Sequence, residues 1–227
     1  MTDRADEHWN DVYATRATDR VSWFQARPTT SLRLLEAFGD RTGSAIDVGA
    51  GASTLVDELL VLGWTDVTVL DVSNEALELV RTRLASQGLA ASAVVCDLLR
   101  WVPERSYDVW HDRAVLHFLT QSQDRARYVD TAAQAVRPGG HLVIGAFAED
   151  GPTRCSGLAT TRYSEQELAA VFSADFDLLH SEREEHHTPD GTAQAFTWAV
   201  LRRHAEANRS KPSTPDLSSV RQAQVWC

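Results

Sequence analysis

Lysine is almost missing from this chain. Of its 22 basic residues only Lys211 is a lysine and the other 21 are arginines. Lys211 lies in a Ser- and Pro-rich stretch near the end, so the rest of the chain offers no amine for a Schiff base, no P-loop lysine and no lysine beside a catalytic tyrosine. Pyridoxal enzymes, kinases and short-chain dehydrogenases fit poorly. Cysteine is scarce as well. Cys96, Cys155 and Cys227 are widely spaced and form no CxxC pair, which suggests neither a disulfide framework nor a zinc site and suits a reducing compartment. No stretch approaches the ~18 apolar residues that span a bilayer, and the first twenty residues are polar and charged. The expectation is a cytoplasmic protein without a membrane partner. Basic charge is outweighed to a formal −10, so there is no basic stripe for nucleic-acid phosphates, and nucleic acid is not an expected partner.

What is present is a chain of 227 residues, 43% of them hydrophobic, long enough for one well-buried domain. Residues 46 to 50 read as a short buried strand running into the small residues Gly51-Ala52-Ser53, and Leu55, Val56, Leu59 and Leu60 then recur at helical spacing. A second strand is predicted over 66 to 72, followed by a helix with Ser73 as its N-cap, and a third over 93 to 97. A fourth covers 107 to 111, a helix covers 123 to 136, and Arg137-Pro138-Gly139-Gly140 stops it before a fifth strand over 141 to 147. Alternation of this kind argues for a parallel sheet covered by helices. The last part differs. Ser164-Glu165-Gln166-Glu167 is a capping-box pattern, and strands over 175 to 186 and 193 to 203 flank Thr188-Pro189-Asp190-Gly191, a turn that implies an antiparallel hairpin. The stretch after residue 203 has tail composition.

The most informative segment is Asp47-Val48-Gly49-Ala50-Gly51-Ala52-Ser53. Small residues after a first strand let the backbone approach a ligand, and the following helix points its positive end there. Alone, a GxG here is a weak signal that also suits a tight turn. Asp71 ends the second strand, 20 residues after Gly51, where doubly wound folds place a carboxylate that accepts ribose hydroxyls, unless it merely caps the next helix, a task Ser73 and Asn74 can also perform. Asp97 ends the third and is placed to accept from an adenine amino group, or is an ordinary loop carboxylate. Thr54 stands where a dinucleotide fingerprint needs its last glycine, and Asp47 near the loop suits a cationic cofactor better than a pyrophosphate.

Taken in order, these motifs resemble the class I S-adenosylmethionine-dependent methyltransferases, here in a small single-domain form. The likeness runs over residues ~40 to 203. It rests on Ile46-Asp47-Val48-Gly49-Ala50-Gly51, Leu70-Asp71-Val72-Ser73, Cys96-Asp97-Leu98, the stretch from Tyr107 to His117, and Val136-Arg137-Pro138-Gly139-Gly140. Ser53 departs from it, since the family often has a third glycine there. The resemblance implies a Rossmann-like, doubly wound α/β fold with a seven-stranded sheet, mostly parallel with a C-terminal antiparallel hairpin. It divides the chain into an N-terminal cap segment over 1–30, a methyltransferase domain over 31–203 and a flexible tail over 204–227. It implies S-adenosylmethionine as cofactor and S-adenosylhomocysteine as product. Gly49 and Gly51 would line the methionine half, Asp71 and Val72 the ribose, Asp97 and Leu98 the adenine, with Asp47 near the amino-acid end. Trp23, in an aromatic pair with Phe24, would close over the cofactor, as would Trp9 and Tyr13, unless they are plain packing residues. His111 as a general base and Asp112 as an acceptor-positioning carboxylate are the candidate catalytic residues, although Asp112-Arg113 is equally a local ion pair. His117 reads as structural. The acceptor is expected to be a small molecule offering O, N or S. A protein lysine is the alternative, ahead of a non-catalytic cofactor-binding module and of an NAD-dependent oxidoreductase.

Overall fold

A computed structural model describes residues 5–205. The expected tail, with Lys211 and Cys227, lies outside the described residues apart from its first two positions. Strands β1 (Ser44–Val48), β2 (Asp66–Asp71), β3 (Ser92–Val95), β4 (Tyr107–Arg113), β5 (Val136–Phe147), β8 (Phe176–His187) and β9 (Ala193–Arg203) form one sheet in the order β3-β2-β1-β4-β5-β9-β8. The pairs from β3 across to β5 are parallel, and β9 runs antiparallel to both β5 and β8. This is the expected seven-stranded sheet with its hairpin. Two short strands, β6 (Arg154–Cys155) and β7 (Leu158–Ala159), make a separate small hairpin in a region that reads as loop in sequence.

Alternating residues of the central strands feed two cores, as the two-residue period of a strand requires. Ile46 and Val48 of β1 pack with Trp110, Leu142 and Ile144 against α5 (Ser122–Ala135) and α6 (Glu165–Phe172). Ala45, Val67, Val109 and Val143 face the other way, onto α2 (Thr29–Phe38), α3 (Leu55–Val61) and α4 (Asn74–Ser86). Each fully buried Leu or Val in these layers contributes on the order of 2 kcal/mol. The caps are as read from sequence. Ser73 Oγ accepts from the Ala76 amide at 3.1 Å, and Ser164 and Glu167 form a reciprocal capping box.

Several boundaries shift: the third strand stops at Val95, the fourth runs on to Arg113, and two further shifts have a visible cause. The first strand ends at Val48 and not at residue 50, because Gly49 turns left-handed at φ +61°. The fifth strand begins at Val136, where the Pro-Gly-Gly turn stays in the ladder through a register irregularity opposite Tyr107 and Val109. Chain order moves outward from β1 to β3 and then returns to β4. The reversal therefore falls between β1 and β4, where folds of this kind open a crevice at the strands' carboxyl ends. Helix α1 (Ala5–Thr15) and the segment after it lie over that crevice.

Candidate functional site

The carboxyl ends of β1 and β2 are tied together by one side chain. Asp71 accepts from the Gly51 amide and from the Ser73 amide, both at 2.8 Å. Gly49 and Gly51 both have positive φ, and neither has room for a side chain. A Cβ on Gly49 would come within 2.0 Å of Val115 Cγ2, and one on Gly51 within 2.1 Å of Tyr13 Oη. Burial pushes the Asp71 pKa up to about 6; the Ser73 and Gly51 amides oppose the shift and the nearby Asp47 charge adds to it. Each of its oxygens still has a lone pair for a further donor.

Above this loop is a cavity of about 370 Å³, in the range of sites that bury small ligands. At one end it is lined by Asp71, Val72, Cys96 and Leu98, and at the other by Arg113, Phe147, Cys155 and Phe196. Trp9, Tyr13 and Trp23 roof it. The roof is anchored. The Trp9 and Trp23 rings meet edge-on at 5.6 Å, Trp23 Nε1 donates to Tyr13 Oη at 3.3 Å, and Ser73 Oγ donates to Asn10 at 2.8 Å. Among the described residues no group of His, Cys, Asp and Glu could hold a metal ion.

Gly49, Asp71, Val72, Leu98 and Trp23 thus meet at the cavity, whereas Asp47, Gly51, Asp97, His111 and Asp112 do not line it. Gly51 lies beneath Tyr13. Asp97 is partly exposed and caps the next turn through the Leu99 amide at 2.9 Å. Asp47 and His111 are register partners on β1 and β4, and they bond at 2.7 Å through His111 Nδ1. The other ring nitrogen of His111 meets Ser31 Oγ of α2 at 2.9 Å, so the buried imidazole has both nitrogens occupied. Asp112 points to the opposite face of the sheet. It accepts from Tyr128 Oη at 2.6 Å and from the amides of Val115 and Leu116 at 2.8 and 3.1 Å. Burial raises its pKa to about 6 against the pull of those donors. Together with the bond from the Ala114 amide to Gly145, Asp112 holds a turn in which Ala114 sits at φ +78° and Val115 is pressed onto Gly49.

Two cavity residues were not legible as site residues. Arg113 makes no ion pair with Asp112. Its Nη1 donates to the Trp23 carbonyl at 2.9 Å and its guanidinium lies 5.0 Å from the Phe196 ring centroid. Its Nε and Nη2 are shut off from solvent and have no hydrogen-bond partner among the described residues. Burial pulls its pKa down, while Glu184 and Asp47 pull it back up. His117 stacks on Phe147 with centroids 4.1 Å apart, and both its nitrogens are buried and unpartnered. Burial, then the charge of Arg113, holds its pKa near about 3, so the ring is neutral.

Residues 45–140 match the family model described as a methyltransferase domain. The chain is 28% identical over 180 residues to N-terminal Xaa-Pro-Lys N-methyltransferase 1 of Homo sapiens, covering 74% of this chain and 77% of that protein. Its fold superposes on the N-methyltransferase NodS from Bradyrhizobium japonicum in complex with S-adenosyl-L-homocysteine, with a TM-score of 0.66, 18% identity and coverage of 86% and 98% of the two chains. A structure from work on the conversion of a disulfide bond into a thioacetal group during echinomycin biosynthesis gives a TM-score of 0.72 at 20% identity, covering 89% and 94%. The matched stretch runs from β1 to the start of β5, the part that builds the glycine loop and the Asp71 carboxylate; over it the chain is similar to a methyltransferase domain, and the sheet around it has the fold of the methyltransferase NodS.

Proposed function

We propose that this enzyme methylates a small molecule held at the Arg113 end of the cavity. When bound, the cofactor supplies an electrophilic methyl group on a sulfonium, open to in-line displacement by an acceptor O, N or S. The protein's own residues bind and enclose. Asp71 offers its remaining lone pairs to the ribose hydroxyls beside Val72, and Leu98, with Asp97 next to it, flanks the adenine. Gly49 and Gly51 give the methionine half a wall without side chains, and Asp47 balances charge behind it. Trp23 and Trp9 keep water out from above. His111 and Asp112 act as positioning residues. Every hydrogen-bonding atom of His111 is taken, and Asp112 fixes the turn that carries Val115. An acceptor reaching this site therefore arrives deprotonated or with a readily lost proton.

The observation that carries the small-molecule reading is the charge of the lining. Among the described residues its one carboxylate, Asp71, sits at the cofactor end, and its one arginine, Arg113, at the other. A lysine or N-terminal ammonium would meet a like charge there, which is costly away from water. Likeness to the human N-methyltransferase supports the second reading, a protein amine. Incubating the enzyme with radiolabelled S-adenosylmethionine and cell extract, then separating protein from small molecules, distinguishes the two. Label is expected in the small-molecule fraction, and label confined to protein overturns the proposal.

A further inference from the structure

Arg113 is a buried cation whose anion is missing. The two carboxylates nearest in charge are committed elsewhere. Glu184 accepts from Trp198 Nε1 at 2.7 Å and from Gln25 Nε2 at 3.1 Å, and Asp47 is bonded to His111. No ion pair to Arg113 exists among the described residues, and leaving two of its donors buried and unpaired is expensive. The unpaired atoms are also specific ones. With Nη1 held by the Trp23 carbonyl, the free Nε and Nη2 lie along one edge of the planar guanidinium, the edge that meets both oxygens of a carboxylate side-on. Phe196 lies under the guanidinium, Phe147 lies under His117, and the two phenylalanine rings meet edge-on at 5.0 Å, so the wall behind that edge is aromatic. His117 adds an unpartnered ring nitrogen on the same wall. Asp71, Cys96 and Leu98 mark the opposite end, over β2 and β3.

The geometry points to a carboxylate receptor at the acceptor end: the methyl acceptor is an aromatic carboxylic acid whose carboxylate pairs bidentately with Nε and Nη2 of Arg113, with His117 as a second hydrogen-bonding position. This rests on the small-molecule reading above and narrows it. Binding the acid as its anion supplies the missing counter-charge. It also lays the ring against the wall that Phe147 and Phe196 form together, which leaves the substituent to be methylated free to face the cofactor.

Calorimetry on the full-length enzyme saturated with S-adenosylhomocysteine tests it, with benzoate and benzamide as probes that share ring and shape but differ in charge. Benzoate is expected to bind about tenfold or more tightly than benzamide. Arg113→Met should erase that preference and Arg113→Lys should keep only part of it, because an ammonium retains the charge without the fork. Equal binding of the two probes by the wild-type enzyme, or no binding of either, overturns the proposal without reliance on a variant. So does a large loss of S-adenosylhomocysteine affinity in Arg113→Met, which would assign the edge to the cofactor's own carboxylate. A labelled small-molecule product that lacks a carboxylate also overturns it while leaving the small-molecule reading in place.

Discussion

Asp71→Asn should make this protein fold as well or better and bind its cofactor worse. Native Asp71 holds its proton with a pKa of about 6 against an ordinary 3.8. Between these values the folded state binds more protons than the unfolded chain, so this group's contribution to stability falls as pH rises. At pH 7.5 keeping the buried charge costs about 3 kcal/mol, and at pH 4.5 only about 1 kcal/mol, because the folded group is then mostly protonated. Asparagine removes the charge. Its one carbonyl oxygen can accept from Gly51 or from Ser73 but not from both, and the amide facing the other donor costs about 1–3 kcal/mol. The two effects nearly cancel at neutral pH, with a net gain of about 1 kcal/mol for the variant, and the balance reverses in acid. Urea midpoints of the two proteins at pH 7.5 and 4.5 should therefore move by about 2 kcal/mol relative to one another, in favour of the wild type at the lower pH. A gap that is the same at both values would refute the raised pKa and the argument built on it. S-adenosylhomocysteine affinity should fall about tenfold or more in the variant, since hydrogen bonds to a charged acceptor are worth about 1.5–3 kcal/mol. Unchanged affinity would remove Asp71 from the ribose site.

Two further outcomes follow from the same packing. Gly49→Ala should lose about 2–4 kcal/mol, from a left-handed backbone and the collision with Val115, and Val115→Ala in the same chain should recover part of that loss; strictly additive denaturation midpoints would show that the collision is not the cause. His111→Ala should destabilise by about 3 kcal/mol by leaving Asp47 buried and unpaired, yet keep the shape of the rate-against-pH profile. Loss of a limb of that profile would restore His111 as a base.

Much of the fold can be read from the sequence because each cue is local. The apolar β-branched strands, the Ser73 and Ser164 caps and the Pro-Asp-Gly turn each act within a few residues. The place of Asp71 beside the glycine loop is legible for the same reason, since its distance from Gly51 along the chain is set by one βαβ unit. The partners of His111 and Asp112 are not. His111 and Asp112 are adjacent in sequence, and the pleat sends them to opposite faces, where Ser31 and Tyr128 wait on helices 80 and 16 residues away. Nothing in the local pattern says that these partners exist. A histidine and an aspartate at the end of β4 read as open catalytic groups until both are seen to be fully bonded.

Arg113 presents the reverse problem, and the composition explains why it stands out only in three dimensions. In a chain with 32 acidic residues against 22 basic ones, a surface arginine finds a carboxylate with little difficulty. Arg27, Arg41, Arg83 and Arg137 each do so, with Glu58, Glu36, Asp57 and Asp108. Sequence context therefore assigns Arg113 the same fate, with Asp112 at hand. That carboxylate, however, is turned to the far side of the sheet and filled by Tyr128 and two amides. The excess of acid cannot follow Arg113 inside, because Trp23, Phe196 and Cys155 close the space around it. An arginine left unpaired in an acid-rich chain is a vacancy produced by the fold, and its free edge has the shape of the anion that would fill it.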